Sequence, residues 1–333
     1  MGNPDAGNQQ WKKRKPETFP KGLWCYTGFR QYGITSKTKE TLMRKTAVLA
    51  ALCTLSLGAS GLALAATNPN ILAANNEIGL SVSGNLLNYQ EHITPGDTES
   101  GWTPGFGVKY SLMQNLAGIH NAYVAVRFGW SRGNVAYHGF TQRPTANGVV
   151  YSPYRGTDNA TMYRVIARVG MGLNIRPGAM VTPFVFGGYQ HWNRHLLGPE
   201  GYTEDYHAGV VGLGAMVQDA VTRKLVLTLT PEFGAVVGGG LHTNLFHGHI
   251  TPASFGTTGE EKISLSADYA LSGAYGYGAG MGWHLYGGLS YTHYNYTGGP
   301  ISLAYRGQTV PFGDEPFSST NLFQVQAGVA YSF

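Results

Sequence analysis

The chain has 333 residues, 48 of them glycine and 21 tyrosine, and only 12% are charged, where a soluble domain carries roughly 25%. Beyond the N-terminal region no window holds the about 20 unbroken apolar residues of a membrane-crossing helix, which excludes a helical membrane bundle. The formal charge of +5 is confined to one end: residues 1–65 hold 10 Lys+Arg and 3 Asp+Glu, leaving 23 − 10 = 13 basic and 18 − 3 = 15 acidic residues, so no nucleic-acid partner is expected.

Residues 1–42 are polar and basic, with Lys12, Lys13, Arg14 and Lys15 in a run and no regular period. They precede a complete export signal over 43–66. Arg44 and Lys45 form its positive region, Ala47 to Leu57 its apolar region, and Ala63-Leu64-Ala65 a small-x-small cleavage site, with the cut after Ala65 or Ala66. Residues 1–42 are therefore read as an over-called start, with a disordered leader as the alternative. Both cysteines, Cys25 and Cys53, fall in the discarded part. The exported chain then has no disulfide, no Cys-based metal site and no Cys nucleophile.

Residues 67–76 are a short periplasmic lead-in, and from 77 to 333 the apolar period is two. Ten segments carry it: 77–90, 101–112, 121–136, 160–175, 179–194, 204–218, 223–237, 262–275, 280–296 and 319–333. In the second, Phe106, Val108, Tyr110 and Leu112 alternate with Gly105, Gly107, Lys109 and Ser111. In the fourth, Tyr163, Val165, Ala167 and Val169 alternate with Arg164, Arg168 and Gly170. The fifth is ambiguous, because Phe184 and Phe186 share the parity of Gln190 and Arg194. Connections alternate too: 113–120, 176–178, 219–222 and 276–279 are short, whereas 91–100, 137–159, 195–203, 238–261 and 297–318 are mostly longer. An even number of strands with both ends on the periplasmic side fits that alternation. The expected fold is all-β, a transmembrane antiparallel up-and-down β-barrel of ten strands, with eight or twelve as alternatives.

Aromatics sort into two belts, as bilayer interfaces favour. Trp102, Trp130, Tyr163 and Tyr291 fall near the outer rim; Tyr110, Tyr275, Trp283, Tyr331 and Phe333 fall near the inner one. In the last segment Phe323, Val325, Ala327, Val329, Tyr331 and Phe333 share one face. This ending, Tyr331-Ser332-Phe333, resembles the terminal signature of Gram-negative outer-membrane barrels. The resemblance implies that Tyr331 and Phe333 are an assembly signal read by the outer-membrane barrel assembly machinery. It also implies outer-membrane lipid and lipopolysaccharide as surroundings.

Lys109, Arg127, Arg164, Arg168, Glu232 and Asp268 all fall on the interior parity. The leading expectation is a salt-bridge network that fills a narrow barrel. The alternative is a polar conduit or pocket whose positive walls favour a small anionic solute. The expected role is structural, surface-interacting or porin-like, without enzyme chemistry and without a cofactor; a surface ligand is a further candidate partner.

The runner-up is an outer-membrane hydrolase. Ten strands is also the count of omptins, an architectural resemblance to which no segment here aligns as a catalytic motif, so no residue is carried over. Its candidate groups are His138, His195, His242, His247 and His249 with Glu200, Glu204, Asp205, Glu260 and Glu261, all assigned to external loops; an Asp–His pair there could activate water. A lipid A deacylase would need Ser and His together on the outward face, and no such pair is evident. His242, His247 and His249 are weak metal candidates, with no clear fourth ligand.

Overall fold

Period-two alternation becomes a closed wall. The computed structural model describes residues 67–145, 148–199, 201–244, 250–271, 282–305 and 308–333; the export signal, Glu200, Tyr275, His247 and His249 lie outside them. The wall strands are β1 (Glu77–Glu91), β2 (Thr98–Leu116), β3 (Ile119–Thr145), β4 (Gly148–Met171) with its short continuation β5 (Leu173–Arg176), β6 (Ala179–His195), β7 (Thr203–Ala220) and β8 (Leu225–Thr243). After a two-residue edge strand, β9 (Ala253–Ser254), come β10 (Thr258–Ala270) and β11 (Gly282–Tyr296). A hairpin of β12 (Gly299–Tyr305) and β13 (Gln308–Glu315) precedes β14 (Ser318–Ser332). Successive wall strands pair antiparallel, and β14 pairs β1 from Glu77↔Ser332 to Glu91↔Ser318. Counting β4 and β5 as one gives ten staves, the expected number.

Pairing of β14 with β1 leaves no open sheet edge, as hydrocarbon demands of a strand-built wall. The faces are inverted relative to a soluble protein. Ile78, Leu80 and Val82 are 52%, 56% and 69% exposed, while Ser81 and Asn85 between and beyond them are buried. Trp102 and Tyr110 on β2, and Trp283 and Tyr291 on β11, are all outward and eight residues apart. At about 3.4 Å per residue and a tilt of about 40°, that spacing is near the roughly 25 Å apolar band of outer-membrane barrels. Tyr110 stacks on Phe333 at 5.8 Å and Trp283 meets Tyr331 edge-on at 5.4 Å, so the inner belt is continuous across β2, β14 and β11. Phe184 and Phe186 resolve the ambiguity of the fifth segment: both point inward, against Val185 at 62% exposure.

Three expectations are corrected. The described parts of the stretch 137–159, residues 137–145 and 148–159, are strand, not loop: β3 and β4 stay in register to Thr145↔Gly148. Beyond the bilayer a hairpin needs backbone pairing but no apolar outer face, so its sequence loses the alternation that marks a membrane strand. Likewise β8 runs to Thr243 and β10 starts at Thr258, and the last long connection holds the β12–β13 hairpin. The turn expected over 113–120 shrinks to Ala117-Gly118, with φ 47° and 83°, the pair of positive φ values that matches hairpin twist.

The lead-in, residues 67–76, carries a short helix. Residues Pro69–Asn75 form helix α1, with Asn68 as N-cap accepting from the Asn70 amide at 2.9 Å and Pro in the first turn. Seven residues cannot hold a helix alone; the barrel mouth holds it. Asn75 and Gln218 exchange amide hydrogen bonds at 2.7 and 3.2 Å, Asn76 and the Met113 backbone do so at 2.7 and 3.0 Å, and Ser332 Oγ donates to Ala73 O at 3.0 Å. These partners sit on β7, β2 and β14, so α1 crosses the barrel mouth at which β1 begins. Its Ile71 is buried among Met113, Tyr123, Met180, Phe184, Phe186 and Met216.

Candidate functional site

The interior side chains meet in tiers, some ties joining neighbouring strands along the wall and others crossing the lumen. In the lowest tier Lys109 Nζ donates to Glu77 Oε1 at 2.5 Å and lies 3.4 Å above the Tyr286 ring. Asp268 and His284 are 2.5 Å apart. Gly79 makes this possible: a Cβ there would meet Lys109 Cε at 2.8 Å and Tyr286 Cε1 at 2.9 Å. Donor atoms of Glu77, Asp268 and His284 lie within 4.8 Å of one another, so this buried group could hold a metal ion; Lys109 supplies positive charge beside it. Sequence spacing could not reveal it, since Glu77 is far from Asp268 along the chain.

In the middle tier Arg168 on β4 reaches Glu232 on β8 at 2.7 Å, with both side chains no more than 4% exposed. Arg164 grips Glu260 on β10 with two hydrogen bonds, one of them 2.9 Å, and touches Gln190 at 3.3 Å. The Arg168 guanidinium rests 4.9 Å from the Phe184 ring centroid. Around these pairs is a chamber of about 200 Å³, lined by Arg127, Arg164, Arg168 and Lys262, by Ser, Thr, Asn and Gln side chains, and by apolar ones such as Met162, Ile166 and Trp192.

In the upper tier Arg194 on β6 is the hub. Its Nε and Nη2 donate to Glu99 Oε1 at 2.8 and 2.5 Å, and Nη1 donates to Glu204 Oε2 at 2.6 Å. Tyr89 and Trp192 meet at 5.1 Å, Trp192 and Tyr206 at 5.5 Å, and Tyr206 and Tyr296 at 5.5 Å, which brings rings from β1, β6, β7 and β11 together in the lumen. Tyr206 Oη donates to Glu315 at the end of β13, at 2.5 Å. Outside the outer belt, burial pushes the Asp158 carboxyl up to about 8, helped by the Glu99 charge. Burial, then the Glu204 charge, pushes Glu315 up to about 8.

All six interior charges expected from parity face the lumen. Lys109, Arg164, Arg168, Glu232 and Asp268 sit in pairs, though Arg164 pairs with Glu260 rather than Glu232. Arg127 opens onto the chamber and makes no ion pair among the described residues. Assigning Glu204 and Glu260 to external loops is corrected: both are buried luminal anions on strands. Arg194 and Lys262 carry the right parity but were not singled out, the first because it shared a face with two phenylalanines.

On the outward face His191 lies 3.4 Å from Asp205 and stacks on Tyr163 at 4.8 Å, and His207 stacks on His242 at 5.3 Å. His195 Nδ1 is 2.8 Å from Thr203 Oγ1. Of the metal candidates only His242 falls among the described residues.

No family model and no curated protein matches the sequence. Solved structures do match. The outer membrane protease OmpT from Escherichia coli superposes with a TM-score of 0.54 at 9% identity, over 77% of this chain and 95% of that one. Lower-scoring matches include the translocator domain of autotransporter NalP from Neisseria meningitidis (TM-score 0.34, 12% identity, 87% and 98% covered) and the Pseudomonas putida toluene transporter TodX (0.31, 11%, 80% and 93%). At this identity the OmpT likeness shows the fold: a ten-stranded barrel of the outer-membrane type.

Proposed function

We propose that the exported chain resides in the bacterial outer membrane as a stoppered barrel, which works through its external surface rather than as an open pore. The observation that supports this is the set of transluminal contacts at successive heights: α1 across the periplasmic mouth, Arg168–Glu232 and Arg164–Glu260 at mid-depth, and Arg194–Glu99 with the Tyr89–Trp192 pair above. Each would have to break before solute passed. The surface on offer is the part of β3–β4 above Trp130 and Tyr163, together with the β12–β13 hairpin, which lies against β9. A single cysteine at Thr309, exposed on β13, is the test, since no thiol competes in residues 67–333. Labelling by a membrane-impermeant maleimide on whole cells, with the protein in the outer-membrane fraction, is expected. Recovery from the aqueous fraction would overturn the proposal.

A second reading, hydrolysis at the outer rim, draws on the His191–Asp205 pair and on the architectural likeness to an outer-membrane protease. It requires peptide- or lipid-hydrolysing activity in the purified barrel that disappears in His191→Ala and Asp205→Asn. Unchanged activity in both variants would remove it.

A further inference from the structure

The geometry points to an oxyanion-binding site in the mid-lumen chamber, for a phosphate-class anion held by Arg127, Arg168 and Lys262. The charge count at this height is unbalanced. Arg127, Arg164, Arg168 and Lys262 face only two carboxylates, Glu232 and Glu260, in the ion pairs that tie the tier together. Among the described residues Arg127 and Lys262 are left without a carboxylate partner at this height, Lys262 half-buried and Arg127 open to the chamber.

Donors point to the same occupant. Arg168 Nε and Nη1, and Arg164 Nε, are buried and meet no acceptor, although Arg168 is only 3% exposed. A buried guanidinium usually fills its fork, and Arg forks fit phosphate and carboxylate oxygens. The Phe184 ring covers one side of Arg168, and Glu232 takes only one of its three nitrogens. Water alone would satisfy those donors but not the surplus charge. A tetrahedral oxyanion does both. The chamber of about 200 Å³ has room for several waters at roughly 30 Å³ each, hence for one such anion with part of its hydration.

Binding does not depend on the stoppered reading; retention does. An anion enclosed between α1 and the upper aromatic ring enters as the barrel closes and leaves slowly. The test refolds the chain in detergent in millimolar inorganic phosphate or in chloride at equal ionic strength, with sulfate as a second probe. Thermal midpoints and phosphate retained after desalting are both read. Expected are a higher midpoint in phosphate and equimolar retained phosphate freed on unfolding. The phosphate-dependent shift should be lost, with roughly tenfold weaker binding, in Arg127→Gln and Lys262→Met barrels that still fold. Identical wild-type midpoints in phosphate and chloride, with nothing retained, overturn the site whatever the variants do. A midpoint shift without retention upholds the site and contradicts the stopper.

Discussion

Arg194 and Glu99 face each other across the lumen from β6 and β2, with Nη2 and Oε1 2.5 Å apart and neither side chain more than 5% exposed. Glu204 takes the other end of the same guanidinium at 2.6 Å. Removing one member of such a group leaves charge buried without compensation, at a cost of about 3–5 kcal/mol. Arg194→Met should therefore lower the unfolding midpoint sharply in detergent or liposomes. Adding Glu99→Gln and Glu204→Gln to it should recover much of the loss. An Arg194→Met barrel as stable as the parent would mean that the hub contributes little.

Above the bilayer, stability should depend on pH in the direction set by protons held in the folded state. Burial raises Asp158 and Glu315 to about 8 from ordinary carboxylate values near 4. Between those limits the folded cap binds more protons than the unfolded one, so its stability falls as pH rises. The contribution is fully present below pH 4 and is lost as pH passes about 8. Proteolysis of the β3–β4 hairpin should be slower at pH 5 than at pH 9, and Asp158→Asn should flatten the difference. Faster cutting at pH 5 would contradict it.

The outward face should punish charge according to depth. Val82 is 69% exposed and lies between the two aromatic belts. Val82→Arg should cost roughly 2–4 kcal/mol when folded into lipid, whereas a charge at outward His138, beyond the outer belt, should cost little. Equal effects at both sites would show that no hydrocarbon band surrounds the wall.

Much of this was legible in the sequence because period-two alternation reports which way a side chain points. Parity placed Lys109, Arg164 and Glu232 inside and Trp102 and Tyr110 outside. It says nothing about height or partner. Arg164 could not be matched to Glu260 until ten strands were rolled into a ring. Alternation also fades where lipid ends, so the upper parts of β3 and β4 read as loop and Glu204 as a loop acid. Helix α1 was missed because seven residues held by amide pairs from three distant strands carry no helical period. In the site itself, parity supplied the guanidiniums but not the surplus of cations over carboxylates that defines the chamber.

Single-channel conductance of the refolded chain in a planar bilayer is the sharpest test of a barrel stoppered from α1 to the Arg194 hub. The account predicts an electrically silent insertion, with steady current steps appearing only when α1, the mid-lumen Arg–Glu pairs and the upper rings Trp192 and Tyr206 are removed together. Steady steps from the unmodified barrel would contradict it.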